Sequence, residues 1–341
     1  MRKWGIKKKF CFYASISLAL FFIVFCGVFA IVANIIENKN KIVVYIPDGA
    51  PALACAQLLI EDVKDDGIEY NVVSANGIES HVTSSYESRN ADICVLPLTD
   101  ASLLLSDGEK YQSLGVLTHG NFFLLSENAG ESYMRDNLSA LVGKKIGFVR
   151  LDKIHGLIFR SVLQQAGVEY SICNDLSCCQ SNVVNLINIQ PASIVKGMGY
   201  DLFVTSEPTV SAKISEAGLY EAGNLQELCG ESYAQAVIVA KRSVIQEKRS
   251  AVDNILAKLR SNNAFIAEKN PQDVLSAIKG HLEKKATTIF TQSNLNVQML
   301  SRYGVYFTED EQAKREITAT VQRIQQINAN VVKPFAENFF V

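Results

Sequence analysis

The sequence predicts an α/β protein with two lobes joined at a hinge and an N-terminal membrane helix before them. Short β-branched runs alternate with helical segments from Lys41 onward, and the same alternation starts again at Lys145. An uncharged run at residues 10–36 precedes both sections. Regular alternation of strand and helix is typical of parallel sheets with crossover helices. A chain of 341 residues is also long enough for two domains.

The first forty residues predict a membrane segment. Five basic side chains precede the uncharged run of 27 residues, and a helix needs only ~20 apolar residues to cross a bilayer. A basic cluster stays on the cytoplasmic side, so residues from about 41 onward are expected to be extracytoplasmic. An uncleaved anchor in the cell membrane is the favoured interpretation. The alternatives are a cleaved signal, for which Ala30 and Ala33 supply small residues, and a lipid anchor at Cys26.

The remainder of the chain is acidic. Residues 1–40 hold six of the 33 basic and one of the 35 acidic side chains, which leaves 27 against 34 and a net charge of −7. A domain of that sign does not attract a polyphosphate backbone, so no nucleic-acid binding is expected. Cys173, Cys178 and Cys179 form a local cluster whose spacing matches no zinc pattern. Incidental thiols and one local disulfide are the open interpretations of that cluster.

Each element follows from local pattern. Strands are predicted at residues 41–46, 69–73, 92–96, 113–117, 122–125, 145–149, 169–172, 202–204 and 234–240. Helices are predicted from Pro51, at residues 99–105, 155–166, 183–189 and 192–196, and from Pro208, Pro271 and the capping box at residues 308–311.

The order of these elements predicts the domain organisation. The first section ends near residues 122–130, and strand character returns near Ala234. We therefore expect a first lobe of residues 41–122 plus 236–341 and a second lobe of residues 123–235. The apolar stripe of the final helix (Ile317, Val321, Ile324 and Ile327) predicts packing against its own lobe.

Five segments follow one another in a recognisable order: IPDGAPALACAQLL (46–59), ADICVLPLTDASLL (91–104), LGVLTHGNFFLLS (114–126), LVGKKIGFVR (141–150) and DLFVTSEPTVSAK (201–213). Together they resemble the solute-binding proteins of ABC importers in the nitrate/sulfonate/taurine group with its thiamine-pyrimidine-precursor relatives. The resemblance covers nearly everything from Lys41 to about Ala240. It implies a type II periplasmic-binding-protein fold and a receptor that captures a small polar solute for an ABC permease by closing its hinge.

The predicted ligand-binding residues follow strands or lie where the chain crosses between lobes. Ligands of open α/β sheets bind beyond the carboxyl ends of strands, beside helix N-termini. The candidates are Asp48, Gly49, Ala50, Thr99, Asp100, Thr118, His119, Asn121, Arg150, His155 and Glu207. Each also has an ordinary interpretation as a helix cap, a turn residue or a surface partner. The acidic candidates suit an amine or a donor-rich heterocycle, whereas Arg150 and the helix N-termini suit an anion.

Local catalytic motifs are missing from the sequence. It contains no His-Glu-x-x-His, no phosphate-binding Gly-x-x-x-x-Gly-Lys and no Gly-x-Ser-x-Gly elbow. The favoured hypothesis is therefore a binding protein and not an enzyme, with no cofactor and no metal. Its partners are a small-molecule solute and a membrane-embedded ABC permease, and a monomer is expected. A synthase-like enzyme of the pyrimidine-precursor branch and a membrane-anchored sensor with the same lobes are the alternatives.

Overall fold

The computed structural model of the chain describes residues 41–62, 67–84, 90–284, 286–297 and 300–341. The predicted anchor at residues 1–40 lies outside these residues, and none of the helices in the described part is long and apolar enough to cross a membrane. Of the described residues, 41–42 and 67–69 belong to a small unit and the others to a large unit. In the small unit the Ile42 N–H donates to the Gly67 carbonyl at 2.8 Å. All the site residues discussed below belong to the large unit.

The strands of the described chain alternate with its helices. The strands are β1 (Ile42–Pro47), β2 (Ile68–Val73), β3 (Ile93–Pro97), β4 (Tyr111–His119), β5 (Phe122–Ser126), β6 (Lys145–Val149), β7 (Tyr170–Cys173), β8 (Val184–Ile189), β9 (Leu202–Ser206), β10 (Tyr220–Asn224), β11 (Ala234–Lys241) and β12 (Val305–Thr308). The helices are α1 (Ala50–Ala54), α2 (Ala56–Ile60), α3 (Ser80–Thr83), α4 (Leu98–Leu105), α5 (Ile154–Gln165), α6 (Thr209–Ala217), α7 (Leu225–Cys229), α8 (Arg242–Glu247), α9 (Arg249–Ala267), α10 (Pro271–Gly280) and α11 (Asp310–Ile327).

The strands form two sheets of six. The first sheet has the order β12-β4-β11-β3-β1-β2, and the second has the order β10-β5-β9-β6-β8-β7. In the first sheet β1 and β3 are parallel, while β11 is antiparallel to β3 and β4. In the second, β9, β6, β8 and β7 are parallel, and β5 is antiparallel to both β9 and β10. The chain passes to the second sheet between β4 and β5 and returns between β10 and β11.

The predicted α/β class is confirmed, and the strands at the centre of each sheet show why. In β3 every residue from Ile93 to Leu96 is buried, as expected for a strand with neighbours on both sides and covered faces. The final helix α11 buries Ile317, Val321 and Ile324 of its predicted stripe. It packs against β4 and β11 but also against α5, whose neighbouring strands belong to the second sheet.

Several predicted elements are wrong. Residues 183–189, predicted as a helix, contain strand β8, which lies between β6 and β7. A short apolar run of this kind has no periodicity that separates a buried strand from a helix. Residues 192–196 contain only the end of a single 3₁₀ turn, Pro191–Ser193. The predicted capping box is also absent, since the Thr308 hydroxyl donates to Glu316 Oε2 at 2.7 Å and α11 has no side-chain cap.

Candidate functional site

The two segments that join the sheets touch each other. The Gly120 N–H, between β4 and β5, donates to the Tyr233 carbonyl just before β11, at 3.2 Å. A Cβ atom at Gly120 would overlap the Tyr233 ring, so this close approach requires glycine. Two separate stretches of backbone therefore meet at one place, which we call the crossing and define as residues 118–122 and 233–234.

Three of the predicted ligand-binding residues lie at the crossing and are buried. Thr118, His119 and Asn121 are 0%, 1% and 4% exposed. Each carries an atom without a hydrogen-bond partner in the described part of the chain, namely Thr118 Oγ1, His119 Nδ1 and Asn121 Oδ1. Buried polar side-chain atoms usually have a partner, and leaving one unsatisfied costs about 1–3 kcal/mol. The crossing is thus the place in the site where polar groups are held without partners.

His119 is fixed by contacts at its other ring nitrogen. Nε2 lies 2.9 Å from Glu316 Oε2, and the imidazole stacks on Tyr306 with ring centroids 3.6 Å apart. Although burial opposes it, hydrogen bonds from His119, Thr308 and Gln312 lower the pKa of Glu316. Because an ionised carboxylate only accepts, Nε2 must donate. In the neutral imidazole this leaves the unpartnered Nδ1 as an acceptor.

His155 is buried in an aromatic cluster next to the crossing. Its ring stacks on Phe122 at a centroid distance of 3.7 Å, and Nδ1 lies 2.9 Å from the Tyr233 hydroxyl. Burial, and secondarily the charge of Arg150, lowers the pKa of His155 to about 3. The imidazole is therefore neutral at physiological pH, and it connects the start of α5 to both crossing segments.

The loop after β1 is engaged by a distant part of the chain. The Asp48 carboxylate accepts hydrogen bonds from the Thr288 hydroxyl at 2.6 Å and from the Ile289 N–H at 2.7 Å. Gly49 has φ 101°, a backbone conformation that favours glycine, and Ala50 begins α1. Asp48 therefore anchors the segment around residue 288 and does not cap α1, which has no side-chain cap.

The loops after β3 and β6 carry charges of opposite sign. Thr99 and Asp100 lie half-buried in the first turn of α4. Burial and the neighbouring Glu79 raise the pKa of Asp100, and Lys153 in the loop before α5 opposes them. Arg150 is exposed at a left-handed φ of 60°. Within the described residues neither Arg150 nor Lys153 forms a salt bridge.

Glu207, after β9, is held by an arginine from the segment before β12. Its carboxylate is 1% exposed and accepts from Arg302 Nε at 2.9 Å and from the hydroxyl and N–H of Ser211 at 2.9 and 3.1 Å. Arg302 also donates to Glu221 at 2.8 Å and lies 4.2 Å above the Phe123 ring. The segment before the first-sheet strand β12 is thereby tied to the second sheet.

The structure thus separates the candidates into groups. Thr118, His119, Asn121 and His155 lie at or beside the crossing, whereas Asp48 and Glu207 are already occupied by protein donors. Sequence reasoning missed Tyr233, Arg302 and Glu316, which lie in none of the segments that resemble the family. Among the described residues no group of three or more His, Cys, Asp or Glu side chains is placed to hold a metal ion. A cavity of about 110 Å³ lies elsewhere, and its lining includes Arg260, Glu309 and Phe340 but none of the candidates.

Comparison with known proteins identifies the fold. A scan against protein-family models and a search of curated proteins each find no match. An ABC transporter structure from Parabacteroides distasonis matches with a TM-score of 0.65 and 17% identity, over 89% of this chain and 99% of that one. The periplasmic aliphatic sulphonate binding protein SsuA from Escherichia coli matches with a TM-score of 0.57 and 14% identity, over 85% and 87%.

A third solved structure has a similar fold. The ligand-binding component of an ABC-type import system from Staphylococcus aureus, solved with zinc bound, matches with a TM-score of 0.55 and 10% identity, over 88% and 94% of the chains. The resemblance to solute-binding proteins of ABC importers, including a sulfonate-binding one, is therefore confirmed at the level of the fold. The chain has a mixed α/β, two-sheet fold of the periplasmic-binding-protein kind.

Proposed function

We propose that this chain is a solute-binding protein that captures a small polar solute at the crossing and delivers it to an ABC permease. The fold is that of binding components of ABC import systems, and the three unpartnered polar atoms at the crossing carry the proposal. A bound solute that satisfies Thr118 Oγ1, His119 Nδ1 and Asn121 Oδ1 recovers the free energy that these atoms cost when they are buried alone. No catalytic step is part of this function.

The charges and hydrogen-bonding groups favour a solute with two different ends. With Nε2 donating to Glu316, Nδ1 of a singly protonated His119 accepts, as does Oδ1 of Asn121, and acceptors suit N–H donors. Arg150 and Lys153 lack salt bridges within the described residues and suit an anion, whereas Asp48 and Glu207 are engaged by protein donors. An aminosulfonate combines both features. Nitrate carries only the anionic one, and an aminopyrimidine only the donors.

The same proposal includes the two lobes, the residues that line the cleft and the location of the protein. Residues 41–122 plus 236–341 form one lobe and residues 123–235 the other, and they close over the solute as hinged domains do. Asp48, Gly49, Ala50, Thr99 and Asp100 line the cleft from the first lobe, and Arg150, His155 and Glu207 line it from the second. The protein acts as a monomer, outside the cytoplasm, anchored to the cell membrane by residues 1–40.

Two buried threonines provide a matched test. Thr118 has an unpartnered hydroxyl, whereas the Thr320 hydroxyl accepts from the Ala234 N–H at 3.0 Å and donates to the Glu316 carbonyl at 2.7 Å. Valine has the shape of threonine without the hydroxyl. Thr118→Val should therefore leave the free energy of unfolding of the solute-free protein unchanged or higher, whereas Thr320→Val should lower it by about 1–3 kcal/mol.

Solute binding is tested by measuring the melting temperature of the full chain with taurine, an alkyl sulfonate, an alkyl amine, nitrate and an aminopyrimidine. A solute that binds only the folded form raises the melting temperature. We expect taurine to give the largest shift and Thr118→Val to reduce it. If every solute leaves the melting temperature unchanged, the proposed solute class is wrong. If a shift occurs but is equal in wild type and Thr118→Val, the crossing is not the binding site.

A further inference from the structure

The three clustered cysteines of the second sheet have no part in the proposed function. Cys173 is the last residue of β7, the edge strand, and is 4% exposed. Cys178 ends the 3₁₀ turn Leu176–Cys178 and is exposed, and Cys179 follows it half-buried. All three are free thiols. The loop after β7 therefore brings a buried thiol and two accessible thiols together.

The contacts select one pair among the three. Side-chain hydrogen bonding links the thiols of Cys173 and Cys178, and the Cys178 thiol also donates to the Asp175 carbonyl at 3.2 Å. Within the described residues no such hydrogen bond links Cys179 to Cys173, although the two interact electrostatically. Cys178 and Cys179 are adjacent in sequence, and neighbouring Cα atoms lie about 3.8 Å apart, closer than the usual 4.4–6.8 Å of a disulfide. We propose that Cys173 and Cys178 are a disulfide-forming pair, oxidised by a disulfide-bearing oxidant, with Cys179 left as a free thiol.

The environment assigns each thiol a role in the exchange. Backbone hydrogen bonding at Asp175, then the contact with Cys173, lowers the pKa of Cys178, so the exposed thiol reacts first. Burial, followed by the contact with Cys178, raises the pKa of Cys173 to about 11. Cys173 lies at the end of β7, beside Cys178. It is therefore placed to attack a mixed disulfide between Cys178 and the oxidant, so that no thiol of a second protein is needed to resolve that intermediate.

The chemistry is a thiol–disulfide exchange in two steps. The Cys178 thiolate attacks one sulfur of the oxidant, forms a mixed disulfide and expels a thiolate, which takes up the proton that Cys178 lost. The Cys173 thiolate then attacks Cys178 Sγ and releases the second thiol, which takes up the proton from Cys173. Two electrons and two protons pass to the oxidant, which leaves as two thiols. The oxidised glutathione used in the test is such an oxidant.

Peptide mapping tests the pair directly on the full chain. Trypsin cleaves after Arg160 and Lys196, and the peptide between these cuts contains all three cysteines. After oxidation and alkylation without reductant, we expect this peptide to take up one alkyl group in place of three and to contain a crosslink that removes about 2 Da. Fragmentation should place the single alkyl group on Cys179.

Two exposed or half-exposed positions give a matched control. Cys178→Ser should abolish the crosslink, whereas Cys179→Ser should retain it, and neither replaces a buried side chain. Three alkyl groups on the oxidised wild-type peptide would overturn the proposal. A crosslink that persists in Cys178→Ser and disappears in Cys179→Ser would overturn it too, because the partner of Cys173 would then be Cys179.

Discussion

Acid should destabilise this protein through His155. The imidazole is buried, stacked on Phe122 and hydrogen-bonded to Tyr233. Its pKa in the folded chain is about 3, lowered chiefly by burial, against an ordinary value of 6.5. Between those values the unfolded chain binds the proton and the folded chain does not. The stabilising contribution of the neutral imidazole is therefore complete above pH 6.5 and decreases as the pH falls toward 3.

The size of this acid destabilisation can be worked out from the single proton that His155 binds. A difference of one bound proton between the folded and unfolded chains changes the free energy of unfolding by about 1.4 kcal/mol per pH unit. His155 should therefore make the protein about 2 kcal/mol less stable at pH 5 than at pH 7. Burial also lowers the pKa of His81, which is only half-buried. A variant without His155 should keep a smaller dependence of the same sign.

Urea denaturation followed by far-UV circular dichroism at pH 7, 6 and 5 measures this contribution. We expect His155→Gln to flatten the decrease of the free energy of unfolding over that range. Tyr233→Phe is the matched control, because it removes the hydroxyl near Nδ1 but leaves the imidazole buried, and it should retain the steep decrease. Equal pH dependence in wild type and His155→Gln would refute the assignment of His155 as a buried neutral side chain and indicate one that solvent reaches.

Two further predictions concern contacts that join the sheets. Arg302→Met should lower the free energy of unfolding by about 3–5 kcal/mol, because it leaves the buried Glu207 carboxylate without its cation. Glu221→Gln should lower it by less than about 1 kcal/mol, since Glu221 is exposed. Equal losses for the two variants in urea titrations would contradict the geometry. Gly120→Ala should lower the melting temperature, because the added Cβ would overlap the Tyr233 ring. The control is Gly280→Ala, whose added Cβ meets no atom within 4 Å and which should leave the melting temperature unchanged or raise it. An unchanged melting temperature in Gly120→Ala would show that the crossing segments do not touch so closely.

The fold could largely be predicted from local pattern. Alternating runs predicted nine strands, and these fall on strands of the two sheets. The errors occurred where pattern is ambiguous, as in β8, whose apolar run fits a buried strand or a helix, or where a strand is too short or polar to stand out, as in β10 and β12. The short strand β12 pairs with β4 across almost 200 residues, and no local signal announces such a partner.

The candidate site could be predicted less well, because the hydrogen-bond partners of its side chains come from distant parts of the chain. The positions of Asp48 and Glu207 after strands were correctly inferred from sequence. Their partners, Thr288 and Arg302, lie more than 90 residues away along the chain. Whether a carboxylate faces a ligand or a protein donor is decided by such long-range contacts, so local sequence could identify the acids but not what they bind.

The crossing joins two physical properties that a binding site needs. Its segments contact each other and the start of α5 where Gly120 meets Tyr233 and where His155 and Phe122 stack. Its polar atoms on Thr118, His119 and Asn121 are nevertheless unsatisfied, although apolar side chains of similar shape would fill the same space at lower cost. In the proposed binding mode, these contacts would hold the atoms in place before a solute arrives, so that binding would lose little conformational entropy and gain the hydrogen bonds that folding left unmade. That combination favours a recognition role for these residues over a purely structural one.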